Sequence, residues 1–165
     1  MAGLTPGERL QPSLLDRLRD DLGSAGPGGQ GERHGFTAAQ LRESVLRDLS
    51  WLLNCVRRSP PEDAVRVEAS VLCFGIPDLA GMHAEGHDTD GFRRALHAAI
   101  ERFEPRLLPG SLHVEVERRA PVHGRRALAF RIDAVLWAQP LPLRMRINTE
   151  ADMETFRFTI VDAPE

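Results

Sequence analysis

The sequence predicts an α+β fold in which N-terminal helices pack on a C-terminal antiparallel β-meander of about four strands. Two observations carry this prediction. In the earlier part of the chain, apolar residues recur every three to four positions, as on one face of a helix. In the last third they alternate with polar residues through four short runs separated by turn-forming residues, which is typical of half-buried antiparallel strands. Helices followed by strands indicate an α+β architecture.

The composition is that of an ordinary globular domain. The 165 residues are 42% hydrophobic and 27% charged, and the net charge of -3 gives no overall attraction to nucleic acid or anionic lipid. No apolar run approaches a membrane span and no signal-peptide pattern opens the chain, so we expect neither membrane insertion nor export. Cys55, late in a predicted helix, and Cys73 indicate buried free thiols of a cytosolic protein. The basic residues are all arginine, which is typical of a GC-rich bacterial genome.

Residues 1–35 are predicted to form a flexible N-terminal segment. It holds one short helix over 13–22, capped by Ser13, and a glycine-rich linker over 23–35. The linker lacks the Gly-Lys-Ser/Thr ending and the preceding strand of a phosphate-binding loop. The rest of the chain, residues 36–165, is predicted to be a single α+β domain.

Two longer helices are predicted in this domain. The first opens with a capping box at 37–40 and ends at Ser59-Pro60-Pro61. Its apolar stripe runs from Leu41 to Val56, and its polar face is expected to point away from the core with Arg42, Glu43, Arg47 and Asp48. The second helix begins at Thr89 or Asp90. Between them, alternation from Val65 through Phe74 predicts a strand, with a short helix as the alternative.

The predicted meander follows the second helix. Its four strands cover 112–117, 128–136, 143–147 and 156–160, and its turns lie at 121–125, 139–142 and 150–153.

The junction between the second helix and the meander is Phe103-Glu104-Pro105-Arg106-Leu107, which we call the corner. Pro105 disfavours helical backbone at Glu104, so the helix should end there. In an extended backbone Glu104 and Arg106 project to the same side, with Phe103 and Leu107 as buried anchors. An internal ion pair that orders the turn and an outward pair that docks a partner both fit this spacing. Spacing alone favours the internal pair.

The candidate catalytic and metal sites are weak. His83 and His87 lie in a glycine-rich loop with Glu85 one position too late for the His-Glu-x-x-His zinc signature, so we expect no metal and no cofactor. Glu101 and Glu104 could form the carboxylate pair of a glycoside hydrolase. However, the neighbouring Arg106 would lower the pKa of Glu104, whereas an acid catalyst needs a raised pKa. We therefore predict that the protein is not an enzyme.

Four short motifs occur in a specific order along the chain. They are Ser13-Leu14-Leu15-Asp16-Arg17-Leu18, Ser44-Val45-Leu46-Arg47-Asp48-Leu49-x-Trp51-Leu52-Leu53-Asn54, Ser70-Val71-Leu72-x-Phe74-Gly75-Ile76-Pro77-Asp78-Leu79 and the corner itself. In this order they resemble the TssE family of type VI secretion baseplate subunits, which is related to the wedge proteins of contractile phage tails. The resemblance covers nearly the whole chain from Ser13 to the final strand.

The resemblance implies a non-enzymatic structural subunit of a cytoplasmic baseplate assembled near the inner membrane, with TssF, TssG and TssK as partners. The family's Glu-Pro-Arg signature maps onto Glu104, Pro105 and Arg106, which implies docking on the core bundle of TssF and TssG. Phe103 and Leu107 are then its supporting anchors. A sheath strand could add to an edge of the sheet and so help to start the contractile sheath. The resemblance thus shifts the interpretation of the corner to an outward-facing docking pair. The alternative function is that of a muramidase-like peptidoglycan hydrolase that uses Glu101 and Glu104.

Overall fold

The computed structural model describes residue 16 and residues 38–58, 70–78, 88–117, 127–138 and 141–162. Several predictions lie outside these residues. They concern the N-terminal helix apart from Asp16, the linker over 23–35, the strand over 65–69, the loop with His83 and His87, and the turn over 121–125.

Within the ranges from residue 38 onward that the structure describes, two α-helices precede the sheet, α1 (Ala38–Leu53) and α2 (Asp88–Phe103), with a 3₁₀ helix (Val71–Cys73) between them. Asp16, the one described residue before α1, is also helical. The strand predicted to run through 71–74 is therefore wrong, and the short-helix alternative is right for this part. Ser70 explains the difference, because its hydroxyl accepts a hydrogen bond from the N–H of Leu72 and so caps the 3₁₀ turn. Val71 is 81% exposed, so the apolar alternation there does not mark a buried face.

The first helix ends at Leu53, earlier than the predicted stop at Ser59-Pro60-Pro61. A tertiary contact made by the next residue accounts for this early end. The Asn54 side chain accepts a 3.0 Å hydrogen bond from the Phe158 N–H and donates a 3.1 Å bond to the Phe158 carbonyl. The chain then turns, and Val56 pairs with Ile76 in a parallel bridge. Cys55 consequently lies beyond the helix and is half-buried, whereas Cys73 is buried, and both are free.

The sheet is a four-stranded antiparallel meander in the order β1-β2-β3-β4, which confirms the predicted fold class. Its strands are β1 (His113–Glu117), β2 (Ala127–Leu136), β3 (Leu143–Asp152) and β4 (Phe158–Asp162). The turn predicted at 150–153 is wrong, since β3 continues to Asp152 and Ala129 pairs with Glu150. Phe156, predicted to begin the last strand, is an exposed residue with φ 55° in the connection.

Both helices pack on one face of the sheet. The centre of this core contains three phenylalanine rings, Phe92, Phe130 and Phe158, whose centroids lie 5.6 to 6.2 Å apart. Aliphatic side chains of α1, α2 and the inner face of the sheet complete the core, among them Val45, Leu49, Leu96, Ile100, Ile132, Met145 and Ile147. Burial of these apolar surfaces is the main stabilising contribution to the fold.

The outer face of the sheet carries ion pairs that we call the sheet ladder: Glu115, Glu117, Arg131, Asp133 and Arg146. Arg131 of β2 pairs with Glu115 of the neighbouring strand β1, and its guanidinium approaches the Glu117 carboxylate to 3.6 Å. Asp133 accepts a 3.1 Å bond from Arg131 Nε and a 2.8 Å bond from Arg146 Nε. Desolvation raises the pKa of Asp133, but the hydrogen bond and charge of Arg146, together with those of Arg131, outweigh it and lower the pKa overall.

Candidate functional site

The corner begins where α2 stops. The helix ends at Phe103, as Pro105 predicts, and the Glu104 N–H makes a final helical bond of 2.9 Å to the Ile100 carbonyl. A turn follows, closed by a 3.2 Å bond from the Leu107 N–H to the Glu104 carbonyl. Pro105 occupies the second position of this turn, which suits its fixed φ, and it is exposed.

Both ends of the corner contact the core. Phe103 is half-buried, and its ring lies 5.3 Å from that of Phe74 at an angle of 67°, an edge-to-face contact. Leu107 is buried and forms an antiparallel bridge with Leu136 at the end of β2. The Arg106 carbonyl also accepts a 2.8 Å bond from the Trp137 N–H. The corner is therefore fastened on one side to the sheet and on the other to the 70–78 segment.

Glu104 and Arg106 bind each other across this turn, whereas the prediction that placed them together assumed an extended backbone. Arg106 Nε donates to Glu104 Oε1 and Arg106 Nη2 donates to Glu104 Oε2, each at 2.6 Å. This two-pronged geometry is the strongest arrangement of arginine on a carboxylate. Glu104 is only 3% exposed, so its carboxylate does not face outward, and the pair is internal. At the surface the corner presents Pro105 and the edge of Arg106, whose side chain is 22% exposed.

Arg106 also reaches α1. Its Nη2 atom donates to Asp48 Oδ2 at 2.6 Å, and its Nη1 atom donates to Ser44 Oγ at 2.8 Å. The guanidinium is therefore shared between the corner and the polar face of α1. Arg47 and Asp48, which the sequence placed on a face pointing away from the core, are half-buried and turned toward this contact. The prediction for these two residues is wrong because the helix face that looks polar in sequence is covered by the corner.

The polar network extends to the N-terminal segment through Asp16. The Ser44 hydroxyl donates to Asp16 Oδ2 at 2.6 Å, and Arg47 Nη1 donates to Asp16 Oδ1 at 2.6 Å. Arg47 also binds Asp48 with two nitrogens at 3.0 Å. We call the six residues of this network the charge cluster: Asp16, Ser44, Arg47, Asp48, Glu104 and Arg106.

Both arginines of the charge cluster are held in their charged form. Burial acts to lower the pKa of Arg106, but hydrogen bonds and charge interactions with Glu104 and Asp48 outweigh it and raise the pKa. The pKa of Arg47 is raised mainly by its hydrogen bond to Asp16, against the effect of burial. Two permanent cations are therefore surrounded by three carboxylates, an arrangement that suits a fixed scaffold and not a proton-transfer site.

Sequence reasoning found Glu104 and Arg106 but missed the four remaining members of the charge cluster. The available signal was the order of the four motifs. Asp16 belongs to the first motif, Ser44, Arg47 and Asp48 to the second, and the corner is the fourth. The third motif supplies Phe74 beneath Phe103. All four motifs thus converge around the corner.

Gly75 explains why the third motif can reach this place. Its φ of +127° strongly favours glycine, and a Cβ there would lie 2.4 Å from the Cys55 carbonyl oxygen. The close approach allows two backbone bonds, from the Ile76 N–H to the Cys55 carbonyl at 2.9 Å and from the Arg57 N–H to the Ile76 carbonyl at 2.7 Å. Phe74 is thereby held next to the corner.

The two carboxylates of the hydrolase alternative have unequal surroundings. Both oxygens of Glu104 accept hydrogen bonds from Arg106, whereas the Glu101 side chain is 54% exposed and lies 3.9 Å from His97. Neither carboxyl is an unpaired acid in an apolar pocket, which is the environment that suits a general acid. Among the described residues, no group of three or more His, Cys, Asp or Glu side chains is arranged to hold a metal ion.

Comparison with known proteins identifies one family. The model of a family described as baseplate wedge protein gp25 matches residues 39–141, which include α1 from its second residue, the corner and β2. No curated protein and no solved structure gives a significant match. In the part of the chain that the structure describes, no helix is both long and apolar enough to cross a membrane.

Proposed function

The chain belongs to the baseplate wedge protein gp25 family, and from this premise we propose that it is a non-enzymatic structural subunit of a type VI secretion baseplate wedge. It would occupy the place of TssE, in a cytoplasmic baseplate assembled near the inner membrane with TssF, TssG and TssK. The four-motif resemblance, which converges on the corner in the fold, supports the type VI assignment.

The observation that carries the proposal is the construction of the corner. The charges of Glu104 and Arg106 pair with each other and with Asp48 inside the protein. The bound Arg106 guanidinium thereby fixes the turn against α1. The residues left at the surface are Pro105 and the exposed edge of Arg106. A projecting turn with little conformational freedom loses little entropy on binding, which favours tight docking. We propose that Glu104-Pro105-Arg106 docks on the TssF–TssG core bundle through the exposed Pro105 and Arg106 edge, with Glu104 fixing Arg106 from within and Phe103 and Leu107 holding the turn in place.

The non-enzymatic part of the proposal rests on Glu104. A general acid must hold a proton that it can give to the leaving group, and both Glu104 oxygens are already hydrogen-bonded to a permanent cation. We therefore expect purified protein to leave peptidoglycan intact in a turbidity assay. Clearing that is lost in Glu104→Gln would favour the muramidase alternative instead.

The contribution to sheath assembly concerns the edges of the sheet. In the described sheet β1 and β4 each have one hydrogen-bonded neighbour, so each has a side to which a further strand could be added. We propose that a strand of a sheath subunit pairs there, with backbone hydrogen bonds supplying the affinity.

The docking proposal is tested by changing Pro105 alone. Pro105→Arg adds a bulky charge to the exposed turn and leaves every member of the charge cluster in place. We expect this variant to lose co-purification with co-expressed TssF and TssG while keeping its thermal melt within a few degrees of wild type.

Pro109 provides the matched control, because it is also exposed and lies just beyond the corner. Pro109→Arg should co-purify as wild type does. Docking through the corner is refuted if Pro105→Arg binds TssF and TssG as fully as Pro109→Arg.

A further inference from the structure

We infer that Ser44 and Arg47 form a carboxylate-binding site on α1, that Asp16 of the N-terminal segment is its ligand, and that the filled site positions the Arg106 guanidinium. These contacts all lie within the chain, so they do not depend on whether the corner docks on a partner.

The site has the chemistry that a carboxylate needs. One Asp16 oxygen accepts from a hydroxyl and the other from a guanidinium nitrogen, each at 2.6 Å. Such charge-assisted bonds are shorter and stronger than neutral ones. The Asp16 residue is 6% exposed and Ser44 is 3% exposed, so water competes poorly for these bonds. The N-terminal segment is therefore attached to the domain at this point.

The charge balance shows that Asp16 is a ligand and not a required counter-ion. Without Asp16, the charge cluster holds two arginines and two carboxylates, Asp48 and Glu104. Arg47 would keep Asp48, and Arg106 would keep both Glu104 and Asp48. Removal of Asp16 therefore leaves no arginine without a partner, and the rest of the cluster can persist.

The Ser44 hydroxyl links Asp16 to Arg106. A carboxylate only accepts hydrogen bonds and an arginine only donates them, so the bonding pattern at Ser44 Oγ is forced. Its single proton goes to Asp16, and its lone pairs accept from Arg106 Nη1 at 2.8 Å and Arg47 Nη2 at 3.3 Å. If Asp16 is removed, the Ser44 hydroxyl must rotate to give its proton to another acceptor. Its lone pairs then turn away from the Arg106 and Arg47 nitrogens. Asp16 is thus a positioning residue for Arg106.

The first readout is the attachment of the segment. Trypsin can cut after Arg17 and Arg19, just beyond Asp16. Under native conditions we expect Asp16→Ala to accelerate this cleavage by more than about tenfold, because the variant loses both charge-assisted bonds of the Asp16 carboxylate. The matched control is Glu43→Gln, which changes an exposed acid of α1, the helix that carries Ser44 and Arg47. This variant should be cleaved at the wild-type rate.

The second readout is the Arg106 guanidinium itself, observed by NMR of its side-chain nitrogens and assigned with Arg106→Lys. The Nε signal reports the bond to Glu104, and the Nη1 signal reports the bond to Ser44. We expect Asp16→Ala and Ser44→Ala to shift or broaden Nη1 while Nε persists. A general loss of stability would instead affect both signals.

Two results overturn the inference. If trypsin cleaves the Asp16→Ala variant no faster than the Glu43→Gln variant, Asp16 does not attach the N-terminal segment. If cleavage accelerates but the Arg106 Nη1 signal is unchanged, the relay through Ser44 is wrong. The thermal melt of each variant, taken on the full chain, ensures that both readouts come from folded protein.

Discussion

The charge cluster and the sheet ladder are both networks of arginines and carboxylates, but the charge cluster is the more deeply buried of the two. In the charge cluster Glu104 is 3% exposed and the Arg106 side chain 22% exposed. In the sheet ladder the side chains of Arg131 and Arg146 are 35% and 63% exposed. Water and salt weaken exposed pairs, whereas a buried charge that loses its partner is left without compensation. From this difference in burial we expect the fold to depend more on the charge cluster than on the sheet ladder.

The two networks also differ in what they connect. The sheet ladder joins side chains of neighbouring strands that already share backbone hydrogen bonds. Arg106 of the charge cluster connects the corner to α1, two elements that are far apart in sequence. Loss of an ion pair that duplicates an existing connection should lower the free energy of unfolding only slightly. Loss of a pair that provides the connection should lower it more. Four variants, from the largest expected effect to the smallest, test this difference.

Arg106→Ala should have the largest effect. It leaves the buried Glu104 carboxylate unpaired, and we expect the free energy of unfolding to fall by about 3 kcal/mol. An outward-facing pair would instead leave stability nearly unchanged. Urea denaturation at pH 7 measures the difference, with Arg94→Ala, an exposed arginine of α2, as the control. A loss no greater than that of Arg94→Ala would contradict the internal pairing.

Gly75→Ala should come next, because it disturbs the backbone that holds Phe74 against the corner. The new Cβ would clash with the Cys55 carbonyl at an unfavourable φ. We expect a loss of about 2 kcal/mol in the same denaturation experiment. Gly91→Ala is the matched control, since a Cβ at Gly91 in α2 meets nothing within 4 Å. There alanine should stabilise the helix by up to about 1 kcal/mol, and equal effects at both glycines would count against this support of the corner.

Arg131→Ala tests the sheet ladder. Although this arginine has three acidic neighbours, we expect a loss of only about 1 kcal/mol because the pairs are solvated. The loss should shrink in about 1 M salt, where exposed charges are screened, while that of Arg106→Ala should remain. Denaturation curves at low and high salt decide the matter. A penalty for Arg131→Ala that is as large and as salt-resistant as that of Arg106→Ala would remove the distinction between the networks.

Asp133→Asn should have the smallest effect and a defined pH dependence. The folded pKa of Asp133 is lowered, chiefly by Arg146 acting against desolvation. Ionised Asp133 therefore stabilises the fold above the unfolded pKa, and this contribution disappears as the pH falls through the folded pKa. We expect the variant to be roughly 0.5 kcal/mol less stable than wild type at pH 7. Urea denaturation at falling pH should show this difference closing; a difference that widens would reverse the assigned sign.

Local signals in the sequence were sufficient for much of the fold. Alternation identified the four strands, and Pro105 fixed the end of α2. The end of α1 was missed because it depends on the contact of Asn54 with Phe158, which is distant in the chain. The β3 strand was predicted too short because Glu150 and Asp152 are poor strand formers that pair with β2 nonetheless.

At the candidate site, the pairing of Glu104 with Arg106 was predictable from local sequence, but the surroundings of the pair were not. The contact was predicted from an extended backbone, but it forms across a turn closed by the bond from the Leu107 N–H to the Glu104 carbonyl, so the pairing was right and its backbone premise was wrong. The contact of Arg106 with Ser44 and of Ser44 with Asp16 depends on how three separate segments pack. Helix periodicity correctly marked Arg47 and Asp48 as a polar face. It could not show that a second polar surface covers this face.

A double-mutant cycle on Glu104→Gln and Arg106→Gln tests the central claim most directly, namely that the corner is built on a buried, internal ion pair. From the free energies of unfolding of the two single variants, the double variant and wild type, we predict a coupling of about 2 kcal/mol or more. The same cycle on Glu115 and Arg131 of the sheet ladder should give less than about 1 kcal/mol. A Glu104–Arg106 coupling no larger than that of Glu115 and Arg131 would contradict the claim.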